Sequence, residues 1–202
     1  ERGYYPEAFN NMLAFLGWNP GTAQELFNMP ELVNAFSLDR VGRAGAKFDF
    51  VKTNWFNQQY LRMYSGKELA SQLSPLLKKE GLEPDSSFLE AVCELMKERA
   101  TFVEDILKEG RYFFVSPSSY DEKTIRKKWK EETSEIILEL SILLRELVLF
   151  DAENISSCFK TFLKSKGLDF GAVMPGFRVS VTGLGAGASM NEIAALLGKE
   201  EV

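Results

Sequence analysis

The 202-residue chain contains no histidine. That absence removes Ser–His and Cys–His nucleophile pairs, a histidine general base and histidine-ligated zinc from its chemistry. Cysteine is scarce: Cys93 and Cys158 are the two present, both within apolar helical patterns. So placed, they read as buried free thiols of a reducing compartment, not as a disulfide or metal site. No apolar run approaches the roughly 20 residues of a membrane-spanning helix. No basic-then-apolar leader opens the chain, which starts Glu1-Arg2 without methionine, so a piece of a longer protein is expected. The P-loop, G-x-G-x-x-G and C-x-x-C patterns are missing too. If the chain belongs to an enzyme, the chemistry is expected to lie elsewhere, with no metal and no cofactor held here.

Apolar residues make up 45%, enough for a folded core, and the formal net charge is −5. A negative balance argues against a generic nucleic-acid coat but leaves recognition of one folded RNA to local patches. Helical periodicity dominates, so the fold class is read as all-α. Thr22–Glu25, Ser65–Glu68, Ser87–Glu90 and Ser189–Glu192 have the spacing of capping boxes, in which hydroxyl and carboxylate satisfy first-turn amides reciprocally. Pro30 suits the first helical position before Leu32, Val33 and Phe36. Gly81, Gly110, Gly167 and Gly198 fall where left-handed residues end helices. The longest periodic stretch, Ile125 through Leu147, predicts one helix from about Asp121 to Phe150. Its opposite face carries Arg126, Lys127, Lys128, Lys130, Glu131 and Glu132, a solvated face or an RNA-backbone contact. Three units are expected, with Ser116-Pro117-Ser118-Ser119 the clearest linker. Phe177 to Gly183 alternates like a strand, yet a lone strand has no partner here.

Several motifs occur in one order. Gly3-Tyr4-Tyr5-Pro6-Glu7-Ala8 precedes Leu13-Ala14-Phe15-Leu16-Gly17-Trp18; then come Phe27, Phe36, Phe48-Asp49 and Trp55-Phe56-Asn57-Gln58-Gln59-Tyr60-Leu61-Arg62. Arg178-Val179-Ser180-Val181-Thr182-Gly183 precedes Asn191 to Glu200. Over essentially its whole length the chain resembles the part of bacterial-type glutamyl-tRNA synthetases downstream of their catalytic domain. The resemblance implies a stem-contact helical unit (1–65), a helical anticodon-binding subdomain (66–115) and a distal helical anticodon-binding subdomain (116–202). It implies a helix led by Pro175 at the contested stretch. It places the family's ATP-handling motifs upstream of Glu1, with ATP and Mg2+ used by the parent enzyme and none in this piece. The implied partners are tRNA(Glu) and the preceding catalytic domain of the same chain, with no DNA or membrane, in a cytoplasmic monomer.

Arg99, near the end of a helix carrying Leu89, Val92, Leu95 and Met96, reads by itself as a cation at a helix C-terminus. In the family a matching arginine meets the third anticodon base, C for glutamate and G for glutamine. A guanidinium only donates, and the pairing edge of C offers O2 and N3 as acceptors, whereas that of G presents donors. Such a mismatch costs about 1–3 kcal/mol, roughly 5- to 150-fold. Discriminating and non-discriminating specificities both remain open, as does a helical interaction module without RNA binding. Arg178, among Phe177, Val179 and Val181, matches the family's anticodon-loop arginine. Thr182 and Met190 flank the loop that would shape base pockets, where Ala188, Ser189 and Met190 replace the usual Pro and apolar residue. Lys160 matches a distal basic position. In the first unit Lys52 and Arg62 are candidates for phosphate contacts, with Arg43 and Lys47 around a glycine-bearing loop. Trp55, Tyr60 and Leu61 are expected to pack the core.

Overall fold

A computed structural model describes residues 3–43 and 45–202. Eleven α-helices occur among them: α1 (Pro6–Ala14), α2 (Met29–Ala35), α3 (Phe50–Met63), α4 (Gly66–Lys79), α5 (Ser86–Met96), α6 (Val103–Glu109), α7 (Glu122–Lys128), α8 (Thr133–Arg145), α9 (Ala152–Lys166), α10 (Phe170–Thr182) and α11 (Met190–Leu197). Extended pairing among the described residues is limited to an isolated bridge, Trp18 to Val41. The all-α expectation is therefore met. Packing divides the chain into two compact units, Glu1–Glu83 with Met96–Lys108 and Pro84–Leu95 with Glu109–Val202. The segments 1–65, 66–115 and 116–202 divide it instead by expected role.

In the first unit, α1 lies against α3. Ala8, Met12, Phe56 and Tyr60 form its centre, bordered by Tyr5, Phe9, Phe15 and Phe48. Tyr60 and Leu61 are buried as expected, while Trp55 remains partly exposed. Polar groups fix the loops to this core. Asn11 has no exposed surface. Its Nδ2 donates to Glu25 O at 3.0 Å, and its Oδ1 accepts from Phe27 N at 2.8 Å. Asn57, equally buried, accepts from Tyr5 N at 2.8 Å and donates to Thr101 O at 2.5 Å. The stretch 22–25 is consequently not a helix start. It is irregular chain, and the missed box lies at Asn28–Glu31, where Asn28 caps α2 with Pro30 in its first turn.

The Ser65–Glu68 box forms as read: Glu68 Oε2 accepts from Ser65 N at 2.8 Å and from its hydroxyl at 2.7 Å, while Glu68 N donates to Ser65 Oγ at 3.3 Å. The bonds from the Ser65 hydroxyl and amide hold the Glu68 carboxyl below its ordinary 4.5. A depressed carboxyl stabilises the fold above its unfolded value and ceases to do so as pH falls through the folded one. The Glu68 carboxyl carbon followed by NMR is expected to titrate below an ordinary glutamate and to move back up in Ser65→Ala. Unchanged titration in that variant would contradict the box. At α5 the cap is Asp85, which accepts from Ser87 N at 2.8 Å, and not Ser87. Ser189 sits at the cap of α11 without a side-chain bond. Gly81, Gly167 and Gly198 take positive φ, whereas Gly110 has φ −105° and leads a 3₁₀ turn.

In the second unit α10 packs on both α7 and α8, and α9 on α8 and α11. Leu140, Leu144, Ile155, Phe159, Val173, Phe177 and Ile193 are buried there. The single helix predicted from Asp121 to Phe150 is two. α7 ends at Lys128, Trp129 is extended (φ −84°, ψ 111°), and α8 runs only from Thr133 to Arg145. Thr133 accounts for the break. Its hydroxyl accepts from Lys130 N at 2.8 Å and its N–H donates to Lys130 O at 3.1 Å, so both groups close a local turn. The same residue is buried against α10, where a Cβ on Gly176 would come within 2.9 Å of its methyl. Phe177 to Thr182 is helical, as the resemblance implied, but Pro175 lies inside α10 and not at its start. Cys93 is buried and Cys158 half-buried, both free. Burial, with Glu90 and Glu94 nearby, pushes the Cys93 thiol up to about 12.

Candidate nucleic-acid interface

Three of the sequence-predicted residues converge in the second unit. Arg178, on the last turns of α10, is half-buried and its Nη2 donates to Ala188 O at 2.8 Å. Thr182 is 4% exposed; its hydroxyl donates to Arg178 O at 2.8 Å and accepts from Leu184 N at 3.1 Å. Met190, 3% exposed, opens α11. The hydroxyl of Thr182 is thus engaged by the chain around it, and Arg178 is the polar member with exposed surface.

The glycines of that loop are structural. A Cβ on Gly185 would overlap Thr124 Oγ1 and come 2.6 Å from Asp121 Oδ2, so the loop can lie on the start of α7 only without a side chain. A Cβ on Gly187 would stand 2.8 Å from Arg178 Nη1. Asp121 N donates to Gly183 O at 2.8 Å, closing the same contact from the other side. Neither glycine was singled out by itself from the sequence. The alternation of glycine with small residues was the available signal.

Arg99 lies elsewhere on the chain. It is exposed, in the turn that closes α5, with its N–H donating to Met96 O at 3.0 Å. Lys160 projects from the exposed face of α9. Within the first unit, Lys52 pairs with Glu25 at 2.9 Å and stands 5.3 Å and 5.7 Å from the ring centres of Phe15 and Phe56. Arg62 pairs with Glu98 at 3.1 Å and donates to its carbonyl at 2.6 Å. Both cations thus have intramolecular partners within the first unit. Arg43 and Lys47 are exposed on the irregular chain leading to α3.

Residues 68–202 match the model of the anticodon binding domain family. Glutamate–tRNA ligases are the similar curated proteins: that of Christiangramia forsetii is 44% identical over 200 residues, 99% of this chain and 40% of the relative. That of Phocaeicola vulgatus is 45% identical over 201 residues, 100% of this chain and 40% of the relative. A solved glutamate tRNA ligase from Elizabethkingia meningosepticum, in complex with its amino acid, superposes with TM-score 0.90 at 40% identity, covering 100% of this chain and 40% of that one. The chain spans about 40% of the length of the curated relatives it matches. Matched over residues 68–202 and folded throughout like the corresponding part of a solved ligase, the chain belongs to the anticodon binding domain family.

Proposed function

We propose that this chain recognises tRNA(Glu) for a glutamate–tRNA ligase. Residues 1–65 touch the stem beneath the catalytic domain, and 66–115 with 116–202 read the anticodon. The parent protein joins glutamate to tRNA with ATP and Mg2+, in the cytoplasm and as a monomer. One observation carries the reading: a chain of net charge −5 leaves Arg99 exposed on the turn closing α5, inside the stretch matched to the anticodon binding domain. Its donors suit the acceptor edge of C and oppose the donor edge of G. Exposed apolar side chains of the first unit, among them Val33, Leu38, Phe50 and Val51, support a further body packing there. Among the described residues no helix is long and apolar enough to cross a membrane.

Arg99→Gln is expected to cut the preference for C over G at the third anticodon position by about 5- to 150-fold. Because the side chain is exposed, the melting temperature should shift by no more than about 2 °C. Undiminished discrimination in that variant would remove Arg99 from base reading. If the unaltered chain binds both transcripts equally, it supplies stem contact only, and discrimination arises in the full enzyme or not at all. The 202 residues alone are expected to show no glutamate-dependent ATP–pyrophosphate exchange; a measurable rate would overturn the assignment of the chemistry to another domain.

A further inference from the structure

Arg99 has anchored neighbours on both sides. Before it, Arg62, on the last turn of α3, donates from Nη2 to Glu98 O at 2.6 Å. The buried Nε of the same guanidinium stands 3.1 Å from Glu98 Oε2. Lys97 Nζ donates to Tyr64 O at 3.2 Å. After it, Ala100 is buried and Asn57 Nδ2, also from α3, donates to Thr101 O at 2.5 Å. Asp105 Oδ2 accepts from Thr101 N at 3.0 Å and from Phe102 N at 2.8 Å. Phe102 meets Tyr4 edge-on, with ring centres 4.9 Å apart. The segment Met96–Lys108 therefore packs in the first compact unit, although its expected role lies with 66–115. The carbonyls on either side of Arg99, those of Glu98 and Thr101, are both taken by side chains of α3.

We propose that Arg62 is a positioning residue for base reading: by holding the Glu98 carbonyl it fixes the direction in which the Arg99 guanidinium leaves the chain. Direction matters to specificity more than to affinity. The pairing edge of G presents donors, but G also carries acceptors at O6 and N7. A guanidinium free to swing could reach those and accept G, whereas one held in place meets the pairing edge and rejects it. The arginine fork suits this task, because one planar group reaches both the carbonyl and the carboxylate of Glu98. The Asn57 bond to Thr101 O closes the other end of the same short segment. The proposal rests on the reading in which Arg99 meets the third anticodon base.

The test uses the whole chain with a tRNA(Glu) transcript and with the same transcript carrying G at the third anticodon position. Each is titrated at several salt concentrations for Arg62→Leu, Arg62→Lys, Arg99→Gln and the double variant Arg62→Leu/Arg99→Gln. Arg62→Leu should lower the C-over-G preference by about 5-fold and leave the salt slope unchanged, since no phosphate contact is lost. In the Arg99→Gln background the same change should alter the preference no further, because the group being aimed is gone. Arg62→Lys keeps the charge without the fork and should show less than half of the preference of the unaltered chain. If Arg62→Leu fails to fold, the lysine variant decides. An equal loss of affinity for both transcripts, with a salt slope shallower by about one contact, would put Arg62 on a phosphate and overturn the proposal. Undiminished preference in Arg62→Lys, or a further loss of preference in the double variant, would overturn it too. None of these results touches the reading of Arg99 so long as Arg99→Gln itself loses preference. A preference that survives Arg99→Gln, or no binding by a chain shown to be folded, sinks that reading and the positioning with it.

Discussion

Asn11→Ala is expected to destabilise the chain by about 2–3 kcal/mol, the cost of leaving the buried Phe27 N–H unpaired and losing the bond to the part-buried Glu25 carbonyl. Asn11 has no exposed surface, and it satisfies Phe27 N and Glu25 O at the same time. Alanine fits the helix at least as well and can replace neither bond. Tyr60 Oη lies 2.9 Å from Asn11 Oδ1 and 2.6 Å from Phe27 O, so the tyrosine keeps one acceptor but cannot serve the Phe27 N–H. Two measurements check this. Urea unfolding should give the lower stability, and the Phe27 amide should exchange with solvent faster than in the unaltered chain. Asn10→Ala, one residue earlier on an exposed position, should change little. A loss below about 0.5 kcal/mol for Asn11→Ala would mean that the 25–27 segment is held by its apolar contacts alone.

Arg178→Ala is expected to weaken tRNA binding by about 10- to 150-fold, the range of a lost charge-assisted hydrogen bond. Two effects combine. The guanidinium is the polar group with exposed surface in the Arg178–Thr182–Met190 cluster, and its bond to Ala188 O braces the loop 183–189. Lysine separates them: it keeps the charge but not the planar fork that can hold a carbonyl and face a base together. Arg178→Lys should therefore recover less than half of the lost binding free energy. Full binding by Arg178→Lys would assign Arg178 to phosphate attraction. Gly185→Ala should damage the same loop from the other side, because its Cβ would strike Thr124 and Asp121.

The helical class was legible because it rests on periodicity and local caps, and Ser65–Glu68 shows a local signal that needs nothing from elsewhere in the chain. The misread elements depend on distant partners. Thr22–Glu25 has the spacing of a capping box, but Glu25 O is taken by Asn11 Nδ2, fourteen residues earlier, and its carboxylate by Lys52. Asn11 itself is indistinguishable in sequence from Asn10, since burial and not residue type sets its role. The apolar period continues across Trp129 to Thr133, so nothing local announces that the chain turns there. The turn is favoured by the approach of α10 at Gly176. At the candidate interface the resemblance singled out Arg99 and Arg178, whereas the bracing of Arg178 by Ala188 O was not legible, because backbone acceptors carry no sequence mark. For Lys52 and Arg62 the sequence shows the charge but not the carboxylates, Glu25 and Glu98, that face them.

Affinity of the chain for a tRNA(Glu) transcript at one fixed, moderate salt, against the same transcript with the third anticodon base changed from C to G, tests the central claim most directly. Tighter binding of the C transcript, by about 5- to 150-fold, is the predicted result. Binding of neither transcript by a chain shown to be folded would contradict the assignment to tRNA, and equal binding would contradict base reading by Arg99.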